Sequence, residues 1–346
     1  MPSATSSSEV CNPRHEPGPL SFRPVVTVLT GARGFVGGHL RQALLARGHS
    51  VRSLTRGPAT TPDFISVADY REAAPVRNAF AGADAVVHLA ARAHVMLERA
   101  FDPLVLYREA NVALTRLMLD AAVAANVRHF IFASSVKVMG ECNDTPWTEQ
   151  DSPHPQDTYA LSKLEAEELV LATAARHDMR ATVLRLPMLY GPGNKGNMLR
   201  LYRLIDRGLP LPLGAIVNRR SLAYVGNVVG AIEVLLHQTL AGQEIFFVSD
   251  QHDLSTPELL RLIGRSLGRT VHLIPVAPAL LRGAGLATDW AFRSRRLTPA
   301  LERLTLSLRV DASKLSRTTG FVPPYTPEIG LTETGRWFRS LPAAHS

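Results

Sequence analysis

A β-branched run at residues 25–30 (VVTVLT) passes into the segment TGARGFVG at 30–37, and the residues after it take up helical spacing. This strand–turn–helix order constrains the chain more than any other feature. Each glycine of such a G-x-x-G-x-x-G answers a different need. Gly31 permits the tight turn, Gly34 lets the backbone approach a pyrophosphate, and Gly37 lets the helix pack closely on the strand. The free N–H groups of the first helical turn, around Phe35 and Val36, then point at the phosphates. A glycine triplet alone is a weak signal. Its position between a buried strand and a helix bearing Phe35, Val36, Leu40, Leu44 and Leu45 makes it a dinucleotide site.

The alternation continues along the chain. Strands are expected at 50–55, near 64–67, and at 85–90, 130–134 and 181–186. Helices are expected at 35–47, 71–81, 104–125 and 157–177. Alternating strands and helices imply an α/β, Rossmann-type doubly wound parallel sheet. After Pro187 the chain turns Gly/Pro-rich (YGPGNKG, GLPLPLG), and its last hundred residues read as short helices. The expected division is a disordered tail at 1–23, a dinucleotide-binding domain at 24–186, and a smaller, mostly helical substrate lobe at 187–219 and 250–340. Segments 221–225 and 244–248, within 220–249, are expected to rejoin the sheet.

Composition closes off other classes. The net charge is +8, but the arginines are scattered and no aromatic residues interleave with them, so nucleic acid is not the expected partner. The two cysteines, Cys11 and Cys142, make neither a disulfide framework nor a metal cluster, and a reducing cytoplasm is expected. No apolar run approaches the ~18 residues of a membrane span.

An NAD site usually carries Asp or Glu at the end of the second strand to bond the ribose 2′-hydroxyl. Here that position is Thr55–Arg56, and Arg33 lies inside the glycine turn. Two guanidinium groups without an acid suit a 2′-phosphate, so NADP(H) is favoured over NAD(H). Tyr159 and Lys163 (YALSK) sit at i and i+4 on one helix face. An ammonium beside a phenol lowers its pKa and makes it usable in acid–base chemistry. Ser134 and Ser135 close the strand before that helix, and either could bond a reacting oxygen.

The glycine turn, the serine pair and YxxxK, in that order, resemble the extended short-chain dehydrogenases/reductases, and within them the NAD-dependent epimerase/dehydratase family acting on nucleotide sugars. The resemblance spans residues 25–338. It implies Ser135, Tyr159 and Lys163 as the catalytic group, with ASSVKVMG matching the family's serine stretch. It implies Asp69, Leu89, Ala90 and Ala91 (in HLAA at 88–91), Asn111 and Pro187 as cofactor contacts. Arg220, in RSLAYVGN, corresponds to the arginine that holds the diphosphate. Lys137, Met139, Asn197, Arg92 and Arg309 complete the substrate-binding candidates. Arg303 is an alternative second phosphate arginine, and His94 could face the sugar. Three departures stand out: Met139 replaces a tyrosine, Asn227 replaces an aspartate, and the late R-x-G-D motif is missing.

The cation-rich 2′ position puts NADPH-dependent reduction of a UDP-4-keto-6-deoxy-N-acetylhexosamine, in surface-polysaccharide sugar synthesis, ahead of UDP-sugar 4-epimerisation with retained NAD. A non-catalytic dinucleotide-binding module is the third reading. The resemblance further implies a homodimer joined through the helices at 104–125 and 157–177.

Overall fold

Seven parallel strands, β1 (Val26–Thr30), β2 (Ser50–Thr55), β3 (Phe64–Ser66), β4 (Ala85–His88), β5 (His129–Ser135), β6 (Arg180–Leu186) and β9 (Gln243–Phe247), form one sheet in the order β3-β2-β1-β4-β5-β6-β9. A computed structural model describes residues 24–71, 73–92, 102–240, 242–291 and 297–342. The expected tail at 1–23 and His94 lie outside them.

The strand order reverses between β1 and β4. At such a switch point the loops leave in opposite directions and open a crevice at the carboxyl edge. The register pairs Thr30 with His88, and Ser135 with Leu186. The ends of β1, β4, β5 and β6 therefore line one edge.

Helices α1 (Phe35–Ala46), α2 (Ala73–Phe80), α3 (Pro103–Tyr107), α4 (Leu114–Ala124) and α5 (Thr158–Arg176) alternate with these strands. α1 buries Gly37, Leu40 and Leu44, the spacing expected of a helix laid on a sheet. α5 starts where the Asp157 carboxylate accepts the Ala160 N–H at 2.7 Å. The helix expected at 104–125 is not uniform: a π-helical turn, Arg108–Ala113, joins α3 to α4. Wider turns of this kind occur mostly at functional sites.

The remaining elements are β7 (Met188–Tyr190), α6 (Asn197–Asp206), β8 (Leu222–Tyr224), α7 (Val225–His237) and α8 (Thr256–Leu267). They continue with α9 (Pro278–Ala291), α10 (Leu297–Thr305), α11 (Ser313–Thr319) and α12 (Pro327–Ser340). Of the two strands expected to rejoin the sheet, only β9 does so. β8 pairs instead with β7, in a separate two-stranded parallel ladder. Pro187 breaks β6 before β7 can continue in the main sheet, since it has no N–H to donate.

One apolar core, with Phe130, Phe132, Met118 and Val170, lies beneath α2, α4 and α5. A second, with Leu29, Leu40, Ile131 and Ile232, lies on the opposite face beneath α1 and α7. A third gathers Tyr190, Tyr202, Leu260 and Leu331 around α6, α8 and α12. No described helix is long and apolar enough to cross a membrane.

Candidate active site

The glycine turn has the geometry its sequence requires. Gly31 adopts φ +73°, and a Cβ there would stand 2.7 Å from the Ala90 nitrogen. A Cβ on Gly37 would collide with the Gly31 carbonyl. Gly34 differs, because its Cβ would meet only the Gly31 oxygen, at 3.0 Å, and its other side is open. Gly34 caps α1 without a side-chain hydrogen bond, and no acid occupies the first turn. The N–H groups at Phe35 and Val36 thus begin a helix whose positive end has no anionic partner of its own.

A cleft of about 910 Å³ extends from this turn, between the ends of β1, β2 and β4 and the helical segment 103–124. Gly31, Arg33, Gly34, Arg56, Asp69, Leu89, Ala90, Ala91 and Arg92 all line it. Its second wall is Leu106, Ala110, Ala113 and Leu117, which the sequence reading did not assign to the site. Their spacing of three to four residues marks one helix face and was the available signal. A glycine cradle that any Cβ would fill, a bare helix N-terminus and a cleft of this size together fit a dinucleotide.

Arg33 is held at the cleft wall. It donates to the Pro58 carbonyl and lies 5.0 Å from the centre of the Phe64 ring. Arg56 remains exposed at the cleft, and exposed Asp69 accepts the Arg71 N–H at 2.9 Å. Asn111, buried in the π turn, does not face open space. Its Oδ1 accepts the Arg92 N–H at 2.8 Å, and its Nδ2 donates to Ser162 Oγ at 2.9 Å.

Ser135 and Tyr159 meet at the carboxyl end of β5, Lys163 follows Tyr159 one turn on in α5, and none of the three lines this cleft. The Ser135 hydroxyl hydrogen-bonds the Tyr159 phenol, and Tyr107 packs edge-on against the same ring at 6.0 Å. Ser135 is therefore the serine that reaches the tyrosine. The Ser134 hydroxyl is buried without a hydrogen-bond partner. Lys163 is 2 % exposed; its Nζ donates to the Ala133 carbonyl at 2.6 Å and lies 3.9 Å from the Phe132 ring centre.

Burial pushes the Tyr159 phenol up to about 12, although the Ser135 hydrogen bond opposes it. Burial also pulls the Lys163 amine down to about 7, with Glu167 resisting. This corrects the expectation that the lysine lowers the tyrosine. The dominant influence on the phenol is loss of water, and the amine is turned to a backbone carbonyl.

The substrate candidates separate into two groups. Lys137 is held between Asp157 and Glu141, the latter at 2.7 Å. Arg309 donates to Asp253 at 2.8 Å. Both cations already have carboxylate partners. Met139 is buried, and its sulfur accepts from Arg185 at 3.0 Å; Arg185 in turn pairs with buried Glu167 at 2.8 Å. Asn197 is the exposed first residue of α6, and Pro187 is buried between β6 and β7.

Arg220 is anchored by backbone bridges to Leu254 and Leu308, and its Nη1 donates to the Leu306 carbonyl at 3.0 Å. Burial lowers its pKa; Glu141 opposes the shift and Arg303 adds to it. The charges of Glu141 and Arg303 thus both reach Arg220. Of the two alternatives for a second phosphate arginine, Arg303 acts on Arg220 electrostatically, while Arg309 follows its bridge partner Leu308 and is paired with Asp253. Among the described residues, no cluster of His, Cys, Asp and Glu could hold a metal.

Residues 27–248 match the model of the NAD dependent epimerase/dehydratase family. The UDP-glucose 4-epimerase of Vibrio cholerae is 36% identical over 91% of this chain and 96% of its own length. The N-acetyl-alpha-D-glucosaminyl-diphospho-ditrans,octacis-undecaprenol 4-epimerase of Escherichia coli O157:H7 is 31% identical over 89% of this chain and 93% of its own. Among solved structures, MoeE5 in complex with UDP-glucuronic acid and NAD superposes with a TM-score of 0.73. It is 25% identical and covers 91% of this chain and 99% of its own.

Proposed function

Because the chain belongs to the NAD-dependent epimerase/dehydratase family, we propose that it is a UDP-sugar 4-epimerase that retains NAD and moves hydride at sugar C4. The observation that carries this reading is the Ser135–Tyr159 hydrogen bond at the carboxyl edge of the same sheet whose switch point opens the glycine-cradled cleft.

The relatives move epimerisation ahead of the reduction favoured from sequence, while Arg33, at the cleft, donates to Pro58 and lies over Phe64 with its charge not neutralised. The two curated relatives named above are 4-epimerases. Arg56, with no acid beside it at the end of β2, favours the second reading, NADPH-dependent reduction of a UDP-4-keto hexosamine.

A bound NAD would supply the hydride acceptor and donor, its pyrophosphate held by the turn of Gly31, Gly34 and Gly37 and by the α1 N-terminus. The chain's own residues handle the oxygen. In the oxidative half-reaction Tyr159, as phenolate, would take the C4 hydroxyl proton as hydride leaves C4, and in the reductive half it would return that proton to the C4 oxygen. Burial favours the protonated phenol, so the oxidative half needs its pKa lowered when ligands bind. Ser135 bonds the same oxygen and holds it at the phenol. Lys163 is a buried amine whose charge is easily shifted, so ligand charges arriving in the site set the phenol's acidity. Arg220 and Arg303 would take the diphosphate, since guanidinium groups bond phosphate oxygens in pairs.

The test is to incubate the protein with UDP-glucose, UDP-N-acetylglucosamine and a UDP-4-keto-6-deoxy hexosamine, adding NAD or NADPH, and to follow nicotinamide absorbance and C4 configuration by NMR. C4 epimers are expected with no net absorbance change. Stoichiometric NADPH oxidation with the keto sugar alone would put the reductase first, and no turnover of any sugar would overturn both readings.

A further inference from the structure

His88 ends β4 at the sheet's carboxyl edge, yet it does not reach the cleft. It is 1 % exposed and takes part in two side-chain hydrogen bonds. Its Nδ1 lies 2.7 Å from Thr30 Oγ1, and its Nε2 lies 3.0 Å from Thr115 Oγ1. Counting hydrogens fixes how these bonds run. The Thr115 hydroxyl spends its one hydrogen on the Asn111 carbonyl at 2.5 Å, so toward His88 it can only accept. Nε2 must therefore carry a hydrogen. The Thr30 oxygen already accepts the Ala90 N–H at 3.1 Å, and its own hydrogen is free to go to Nδ1.

The chain runs on in the same direction. Asn111 donates to Ser162 Oγ at 2.9 Å, and Ser162 donates to the carbonyl of Tyr159 at 2.8 Å. One ordered relay thus links the strand before the glycine turn, the segment after β4, the π turn and the backbone of the catalytic helix.

We propose that His88, as the neutral Nε2–H tautomer, is a positioning residue that locks the π turn at Asn111 and, through Ser162, sets the height of Tyr159 relative to the glycine turn. This rests on the C4 chemistry proposed above. A charged ring would have two donors, and Thr30 would then need a new acceptor for its own hydrogen. The surroundings also exclude a second charge. The ring stacks on Phe132 at 5.8 Å and tilts against Phe130 at 5.9 Å, and the Lys163 amine sits on Phe132 as well. Burial first, and Lys163 second, hold the imidazole down at about 3. Of the elements around it, β1 and α4 present threonines, β5 presents phenylalanines, and α5 presents the one cation that acts on it.

The relay works by geometry, and small displacements of a proton carrier cost about 10²-fold in rate. Two measurements test it. The first needs no substrate: ¹⁵N NMR of the imidazole in the full-length protein. The Nε2–H tautomer is expected throughout pH 5–8, and an Nδ1–H tautomer or a ring that titrates there overturns the proposal whatever the activity.

The second compares His88→Phe, which keeps the stack on Phe132, with His88→Gln, whose amide can still donate toward Thr115. His88→Phe is expected to lower kcat by about 10²-fold with KM and NAD affinity within about threefold, and His88→Gln to recover most of the loss. Equal kcat in all three proteins, or equal loss in both variants, overturns the proposal. If His88→Phe does not fold, the tautomer decides. If the wild type turns over no sugar, the NMR result still stands and the fault lies with the proposed reaction.

Discussion

Burial takes water away from the Lys163 amine, and a single carbonyl and the face of Phe132 replace it only in part. The folded protein therefore holds this proton only up to about pH 7, while the unfolded chain holds it to the ordinary 10.5. Between those values unfolding takes up a proton. Stability must then rise with pH through that window, by up to about 1.4 kcal/mol per unit, and be lowest below it. Lys163→Met should flatten this dependence and leave the cofactor-free protein more stable than wild type at pH 6. Urea midpoints of both proteins from pH 6 to 10 check this, and parallel curves would refute it. At this scale the sequence was partly legible. The i, i+4 pairing of Tyr159 and Lys163 needs nothing but a helix, and it was readable. The pull on the phenol was not, because it depends on the walls around Tyr159, including Tyr107 from another element. The partners of Lys137 were not legible for a comparable reason. Glu141 sits one helical step away in sequence, but Asp157 reaches the amine from the cap of α5.

At the scale of elements, the glycine turn separates a packing role from a binding role. An added methyl at Gly37 runs into the Gly31 carbonyl, whereas one at Gly34 has an open side. Gly37→Ala should cost about 2–3 kcal/mol of stability. Gly34→Ala should leave the melting temperature nearly unchanged and weaken NAD binding by about tenfold, since only the backbone's approach to phosphate is lost. Thermal melts with NAD titrations check both, and equal stability loss in the two variants would contradict the division. The strands from β1 to β6 and helices α1 and α5 were readable from buried β-branched runs and helical spacing. The partner of β8 was not. A three-residue strand such as Leu222–Tyr224 has no preference of its own between two sheets, and Pro187, thirty-five residues earlier, places β7 beside it. The π turn carries no pattern that sets it apart from the helix on either side.

The described residues form two apolar layers on one sheet with two further cores beside them, one of which holds Val136, Val138 and Met139, and the candidate site lies along the sheet's carboxyl edge. The backbone of Arg220 is bridged to Leu254 and Leu308, far apart in sequence, which is why sequence could name the residue but not its surroundings. The homodimer implied by the family resemblance would use α4 and α5, whose outer faces share a groove with Leu119, Val123 and Leu169 in its lining. Sedimentation should give twice the chain mass, and a monomer at micromolar concentration would remove that expectation. The proposed chemistry depends on one proton carrier, the Tyr159 phenol. Its most direct test is C4 interconversion of a UDP-sugar by Tyr159→Phe, measured beside NAD affinity. The variant should keep NAD binding within about threefold and lose about 10²–10⁴ in rate, the share expected of one positioned proton carrier. Interconversion at the wild-type rate would contradict the account.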